Sequence, residues 1–263
     1  MAIGTVFTAP YAPQYPNAGW TNGVLFTVCC HMTIDGFYGS GSISFASING
    51  GGAGSGAVLT FNSGVNCTIK NVTGNGWAKC IQFVNTCPTT LPDCQGFLMT
   101  EINGIGTNNL ISAVGTLAQY PNGLCGITIE SWQCDDGYAG GGKQYVYGPL
   151  FDFTNANGIF IGKGLGLLAV NSPNPGALFT NCSDIIIGTA AEIYAAGPGG
   201  AAVHLTGGTT DVTVQGCRLK GTVGLSVDAG CARISSVGNN YHLCGTAIVD
   251  PSNAVSSVGD QKS

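Results

Sequence analysis

Three short segments in the last third of the chain share one shape: Asp184-Ile-Ile-Ile-Gly188, Asp211-Val-Thr-Val-Gln-Gly216 and Ala232-Arg-Ile-Ser-Ser-Val-Gly238. Each opens on a short residue, continues with β-formers whose alternate positions point inward, and closes on glycine. Their first β-branched residues, Ile185, Val212 and Ile234, recur at a step of about 22 to 27 residues. Self-similarity at a fixed step of this size marks a repeat architecture. No window carries a sustained i, i+3, i+4 apolar pattern, which excludes helical repeats. Strand-and-turn repeats of this length suit a parallel β-helix, in which each coil stacks on the next and hides its inward side chains.

The pattern extends well upstream. Asn109-Leu-Ile-Ser-Ala-Val-Gly115 matches the Ala232 segment, while Gly126-Ile-Thr-Ile-Glu130 and Gly158-Ile-Phe-Ile-Gly162 match the Asp184 segment. Cys67-Thr-Ile-Lys-Asn71 and Cys80-Ile-Gln-Phe-Val84 read as strands of earlier coils. The expected organisation is therefore an arm or cap over residues 1–40, a β-helix over 41–250 and a polar tail over 251–263. The arm is dense in Pro10, Pro13 and Pro16, which excludes helix and central strand. Its Tyr11, Tyr15 and Trp20 are candidates for docking on a partner, as aromatic anchors are at interfaces. A cap over the first coil is the alternative.

Composition narrows the function classes. Charged residues are 8% of the chain, against about 25% typically. Few surface charges imply a surface largely covered by other chains. The net charge is −5 with only eight Lys and Arg, scattered along the chain, which argues against phosphate neutralisation and nucleic-acid binding. No apolar segment approaches the ~18 residues of a membrane span. The run Asn49–Gly56 lacks the Gly-Lys-Ser/Thr ending of a phosphate loop. Cysteines do not occur as the closely spaced pairs of a zinc site, and no metal or other cofactor is expected.

Twelve cysteines suggest a disulfide framework, with Cys29, Cys30, Cys80, Cys87, Cys94, Cys125 and Cys134 as crosslink candidates. The segment between Cys87 and Cys94 reads as a disulfide-closed loop. Against this, Met1-Ala-Ile-Gly4 has neither the charged nor the apolar region of a secretory leader. Buried, reduced cysteines packing as small hydrophobes are the alternative. A protein made in a cytoplasm and working outside after release reconciles the two facts.

Thr210–Gly221 and Ser235–Ile248 resemble coils of right-handed parallel β-helix proteins, a group that includes pectate-lyase-like enzymes, bacteriophage tailspikes and trimeric virion decoration proteins. The resemblance implies an all-β, right-handed parallel β-helix and, for the viral members, a side-by-side homotrimer. It implies a structural virion protein, a disulfide-stabilised capsid ornament in contact with the major capsid protein or other virion proteins. The competing readings are a receptor-binding spike that binds or cleaves host polysaccharide, and a secreted cysteine-rich β-helix. The triplets at Asn66, Asn71 and Asn181 match glycosylation sequons, as the last would require.

An enzyme of the spike kind needs two carboxyls about 5 to 9.5 Å apart. Asp184 and Asp211 open matching strands, so they are expected one coil apart. Asp is equally a turn residue that hydrogen-bonds nearby backbone. Glu130 with Asp135 and Asp136 forms the second candidate group, beside the longest loop, where a plain solvated face is the alternative. Arg218 and Lys220 lie near Asp211 in sequence, as a lyase base would. His31, His204 and His242 are isolated and read as hydrogen-bonded, half-buried histidines rather than catalysts. On balance the sequence favours a structural rather than a catalytic role.

Overall fold

A computed structural model describes residues 6–8, 22–40, 56–75, 77–85, 93–105, 107, 109–115, 123–135, 148–168, 172–195 and 197–263. Every strand pairing in it is parallel, and all strands belong to one continuous 23-stranded sheet. Successive turns of chain stack strand on strand, so the fold is all-β and a parallel β-helix. Its cross-section has three faces.

Numbered along the chain, face one is built by β2 (Asn22–Cys30), β4 (Ala57–Val65), β6 (Lys79–Val84), β8 (Asn109–Val114), β10 (Phe151–Thr154), β12 (Ala177–Thr180), β15 (Ala201–Thr206), β18 (Val223–Val227) and β21 (Thr246–Val249). In the early coils one long strand makes both remaining faces: β3 (Thr33–Ser40), β5 (Thr68–Asn75), β7 (Gln95–Ile105), β9 (Leu124–Asp135) and β11 (Ala156–Leu167). A single left-handed residue bends such a strand, as at Asn71 (φ 51°) and Glu101 (φ 57°). After β11 the corner lengthens and the strand divides. Face two continues as β13 (Ser183–Ile187), β16 (Thr210–Gln215), β19 (Ala232–Val237) and β22 (Val255–Val258). Face three continues as β14 (Ala191–Ala195), β17 (Arg218–Gly221), β20 (Asn240–Tyr241) and β23 (Gln261–Lys262). β1 (Val6–Thr8) lies along the face-three part of β3.

The coils therefore reach further than 41–250 at both ends. Residues 22–40, expected in the arm, form β2 and β3 because Val24, Phe26, Ile34 and Phe37 pack on the core. Residues 251–263, expected as a tail, add β22 and β23 to the last coil. They are held by Asp260, whose carboxylate accepts from Ser236 Oγ at 2.6 Å, Ser257 Oγ at 2.6 Å and the Asn239 N–H at 2.7 Å. Tyr11, Tyr15 and Trp20 lie outside the described residues.

In-register stacking turns the core into columns. On face two Phe97, Ile127, Ile159, Ile185, Val212 and Ile234 are successive partners and all are buried. On face one Phe61, Phe83, Ala113, Phe153, Phe179, Leu205 and Val227 form a second column. Phe61 and Phe83 stack at 5.6 Å, and Phe153 and Phe179 at 5.7 Å with planes 7° apart. The sequence alternation is thus read directly as inward and outward positions.

The cysteines do not form the expected disulfide framework. The eleven among the described residues, including Cys29, Cys30, Cys80, Cys94, Cys125 and Cys134, are free thiols; Cys87 lies outside the described residues. Most fill inward positions at the coil corners, where their thiols donate to backbone carbonyls. Cys182 Sγ reaches Thr180 O at 3.3 Å and Phe153 O at 3.4 Å, Cys217 Sγ reaches Gln215 O at 3.3 Å, and Cys244 Sγ reaches Leu219 O at 3.3 Å. Burial pushes the Cys182 thiol up to about 11 and the Cys80 and Cys217 thiols to about 12. Even Cys94 and Cys182, which share a column through the partners on either side, have Leu124 and Ala156 between them.

Candidate functional site

The opening residues of the face-two strands form a column that changes character along the axis. Gly96 (φ 66°), Gly126 (φ 67°) and Gly158 (φ 62°) give way to Asp184 (φ 53°), Asp211 (φ 58°) and Arg233 (φ 56°). The left-handed backbone at this corner explains the glycines and also the Asp residues, whose short polar side chain tolerates that conformation. The register Ser183–Thr210 and Ile185–Val212 places Asp184 and Asp211 one coil apart, as expected from their spacing.

Asp211 is nevertheless closed. Arg233 Nε and Nη2 donate to its two oxygens at 2.5 and 2.6 Å, and Thr210 Oγ1 adds a bond at 2.9 Å. The Arg233 bonds, then that of Thr210, hold the Asp211 carboxyl down at about 2. It is a locked anion at the surface, with no proton to give near neutral pH. Arg218 and Lys220 are not beside it, because they belong to face three.

The second acidic group is not assembled. Glu130 faces outward on face two and accepts from Thr100 Oγ1 at 3.0 Å. Asp135 ends β9 on face three, and only its backbone is described. Five residues at ~3.3 Å each, across a bend, separate the two. Asp136 lies outside the described residues.

Face three carries a cluster that centres on Tyr194. Its neighbour along the axis is Lys220, and Glu192 neighbours Arg218. Tyr194 Oη donates to Glu192 Oε2 at 2.7 Å, and Arg218 Nη1 stands 3.6 Å from the same oxygen. The Arg218 guanidinium and the Lys220 ammonium each lie 5.8 Å from the Tyr194 ring centroid, within cation–π range. Burial, then the bond to Glu192, pushes the Tyr194 phenol up to about 12. It stays protonated and holds its hydrogen bond. Arg218 Nε is buried and has no hydrogen-bond partner. The next coil continues the two rows with Asn240, partner of Arg218, and with His242, which meets Ser263 Oγ at 3.4 Å.

Sequence reading saw Arg218 and Lys220 but missed Glu192 and Tyr194. The signal was there: Glu192-Ile-Tyr194 and Arg218-Leu-Lys220 are one repeat step apart, and each puts its two polar residues on the same side of a strand.

Face one holds two further polar pairs. His204 Nε2 meets Asp228 Oδ1 at 2.9 Å, and this bond is the main cause that lowers the Asp228 carboxyl. Lys79 and Asp152 are partly buried near each other; burial lowers the amine and raises the carboxyl, while their attraction acts the other way. Among the described residues no group of three His, Cys, Asp or Glu side chains is placed to hold a metal ion. The sequon residues Asn66, Asn71 and Asn181 occupy left-handed corners (φ 51–52°). Asn71 Nδ2 donates to Asp35 Oδ1 at 2.6 Å, and Asn181 Nδ2 to Asn155 Oδ1 at 2.7 Å, so corner geometry accounts for these asparagines.

No protein-family model matches the chain, and no curated protein matches it. Two solved structures share its outline. One is the A-module of Azotobacter vinelandii mannuronan C-5 epimerase AlgE4, with 11% identity over 93% of this chain and 72% of that one, at a TM-score of 0.45. The other is the A-module of the AlgE6 epimerase of the same organism, with 12% identity over 89% and 74% of the two chains and a TM-score of 0.40. Likeness at this level says nothing about the chemistry of this chain, which rests on its own side chains.

Proposed function

We propose that the chain is a polysaccharide-recognising β-helix of the receptor-binding kind, and that face three binds acidic sugars through Arg218, Lys220 and Tyr194. The observation that carries this reading is the Tyr194 ring flanked by two cations, with the Arg218 side chain 42% exposed beside it. Arg218 offers a planar fork to a carboxylate, and Lys220 adds a second positive charge. The Tyr194 ring gives a flat apolar surface for a sugar face. Glu192 orients the phenol and Arg218 instead of repelling ligand, since both of its neighbours satisfy it. The reading is one of binding rather than cleavage, because Asp211 and Glu192 are engaged in ion pairs and hydrogen bonds.

Titration calorimetry with polygalacturonate and with neutral dextran tests it. Polygalacturonate is expected to bind, more weakly as salt rises, and dextran to give no heat. Arg218→Ala is expected to lower affinity by roughly tenfold or more, since hydrogen bonds to charged groups contribute about 1.5–3 kcal/mol. Equal affinity for the two polymers, or an Arg218→Ala variant that binds as well as the parent, would rule the site out.

A second reading is favoured by a different observation. Phe160 and Ile186 are partners on the outer side of face two and remain 36% and 41% exposed. Val237 and Val258, partners further along that face, are exposed as well. Adjoining apolar side chains on an outer surface suit a contact between copies. This contact supports a side-by-side homotrimer, which we propose serves as a structural shell component of a bacteriophage particle, docked on other virion proteins through Tyr11, Tyr15 and Trp20. Light scattering should then give three times the chain mass, reduced by Ile186→Asp. A monomer at every concentration would exclude the assembly.

A further inference from the structure

We propose that Cys29 and Cys67 are an oxidisable thiol pair, a modification site that closes into one intrachain disulfide when the protein meets a small-molecule disulfide such as oxidised glutathione. Their sulfurs stand 3.8 Å apart, and both residues face the core where the first two coils meet. Cys29 sits in β2 opposite Gly64 of β4. A Cβ on Gly64 would come within 3.0 Å of the Cys29 sulfur, so the glycine keeps open the space in which the thiol approaches its neighbour. Cys67 is buried and aims its thiol at Val65 O, 3.6 Å away. Bond formation needs the sulfurs to close from 3.8 Å to about 2.05 Å.

Adjacent Cys30 is not the partner. Successive strand residues point to opposite sides, and Cys30 is exposed while Cys67 is buried. Cys94 is the third thiol of the neighbourhood; burial first, and in smaller part the charge of Cys29, hold it up at about 12.

The chemistry balances with one equivalent of oxidant. Cys29 loses its proton to solvent, and its thiolate attacks one sulfur of oxidised glutathione. The glutathione S–S bond breaks, a mixed disulfide forms, and one glutathione thiolate leaves. Cys67 gives its proton to solvent, and its thiolate attacks the Cys29 sulfur, breaks the bond to glutathione, forms the protein disulfide and expels the second glutathione thiolate; the two glutathione thiolates take up the two protons released. The two protein thiols are oxidised and the glutathione disulfide is reduced to two thiols. Burial and the neighbouring Cys67 hold the Cys29 thiol up at about 12. Reaction is therefore slow near neutral pH, and its rate rises about tenfold per pH unit with the thiolate fraction. The pair stays reduced in a cytoplasm and closes outside, tying the first coil to the second.

The test uses the full chain. Protein is incubated with oxidised glutathione at mildly alkaline pH, remaining thiols are blocked with iodoacetamide, and the unreduced protein is digested for mass spectrometry. The peptides holding Cys29 and Cys67 are expected linked, lighter by two hydrogens than their sum, and separable by dithiothreitol. Cys67→Ser is expected to trap Cys29 as its glutathione adduct. Wild-type protein in which both residues are alkylated would overturn the proposal, as would Cys29 recovered bonded to Cys30, to Cys94 or to a second chain.

Discussion

Phe179→Ala is expected to lower unfolding free energy by about 3–5 kcal/mol, the usual range for removing a buried ring. Phe179 is fully buried in the face-one column, stacked on Phe153 from the preceding coil and in register with Leu205 of the next. The strands on both sides hydrogen-bond along their length, so they cannot collapse into the space the ring leaves. The loss combines transfer of the ring to water with the cavity that remains. Phe179→Leu keeps most of the volume and is expected to cost under about 1.5 kcal/mol. Urea unfolding monitored by circular dichroism gives both values, and near-equal midpoints for the two variants would show that the column relaxes. Because each coil contacts only its neighbours, amide exchange should quicken first in β10, β12 and β15 and last in the terminal coils.

The second large effect is expected at Asn239. Its side chain lies inside the corner between faces two and three and serves three groups at once. Asn239 Oδ1 accepts from the Cys217 N–H at 2.9 Å, while Nδ2 donates to Val214 O at 2.8 Å and to Ser236 Oγ at 2.9 Å. Asn239→Ala leaves a buried backbone donor and a buried backbone acceptor unpaired, each costing about 1–3 kcal/mol. A loss of roughly 2–6 kcal/mol follows. Asn239→Asp separates hydrogen bonding from packing: it keeps the acceptor for Cys217 but removes the donor to Val214, and it places a carboxylate near Asp260, so it should be no milder than alanine. A midpoint shift for Asn239→Ala as small as that of a surface substitution would mean that water enters the corner and replaces the amide.

The fold was legible because its signal is a repeat. Ile185, Val212 and Ile234 recur at the coil length, and alternation within each segment separates the buried Ile187 from the exposed Ile186. The first coil was not legible. Gly23 to Cys30 and Thr33 to Ser40 carry no closing motif like Asp211–Gly216, and the prolines upstream suggested an arm continuing through them. The cysteines misled for a physical reason. An even number of thiols is equally what results when small, weakly polar side chains are chosen one at a time to fill corner positions, as at Cys182, Cys217 and Cys244. The acidic candidates show the limit of spacing arguments. Asp184 and Asp211 do align, but no spacing rule reveals that Arg233 on the following coil clamps the second of them. The Tyr194 cluster needed the register between β14 and β17, which is fixed by corner length rather than by the strands themselves.

The shared register of the coils has an evolutionary corollary. Cross-section and length are independent variables in such a molecule: the columns set the first, and the number of turns sets the second. A duplication or loss of one whole turn would lay Val212 where Ile185 had been, or the reverse, and the apolar interior would continue unbroken. What would change is the outer surface, where Glu192 meets Arg218 and Asp211 meets Arg233 only because consecutive turns differ. Recognition in this architecture is thus written in the differences between neighbouring turns, while the likeness between them keeps the chain folded.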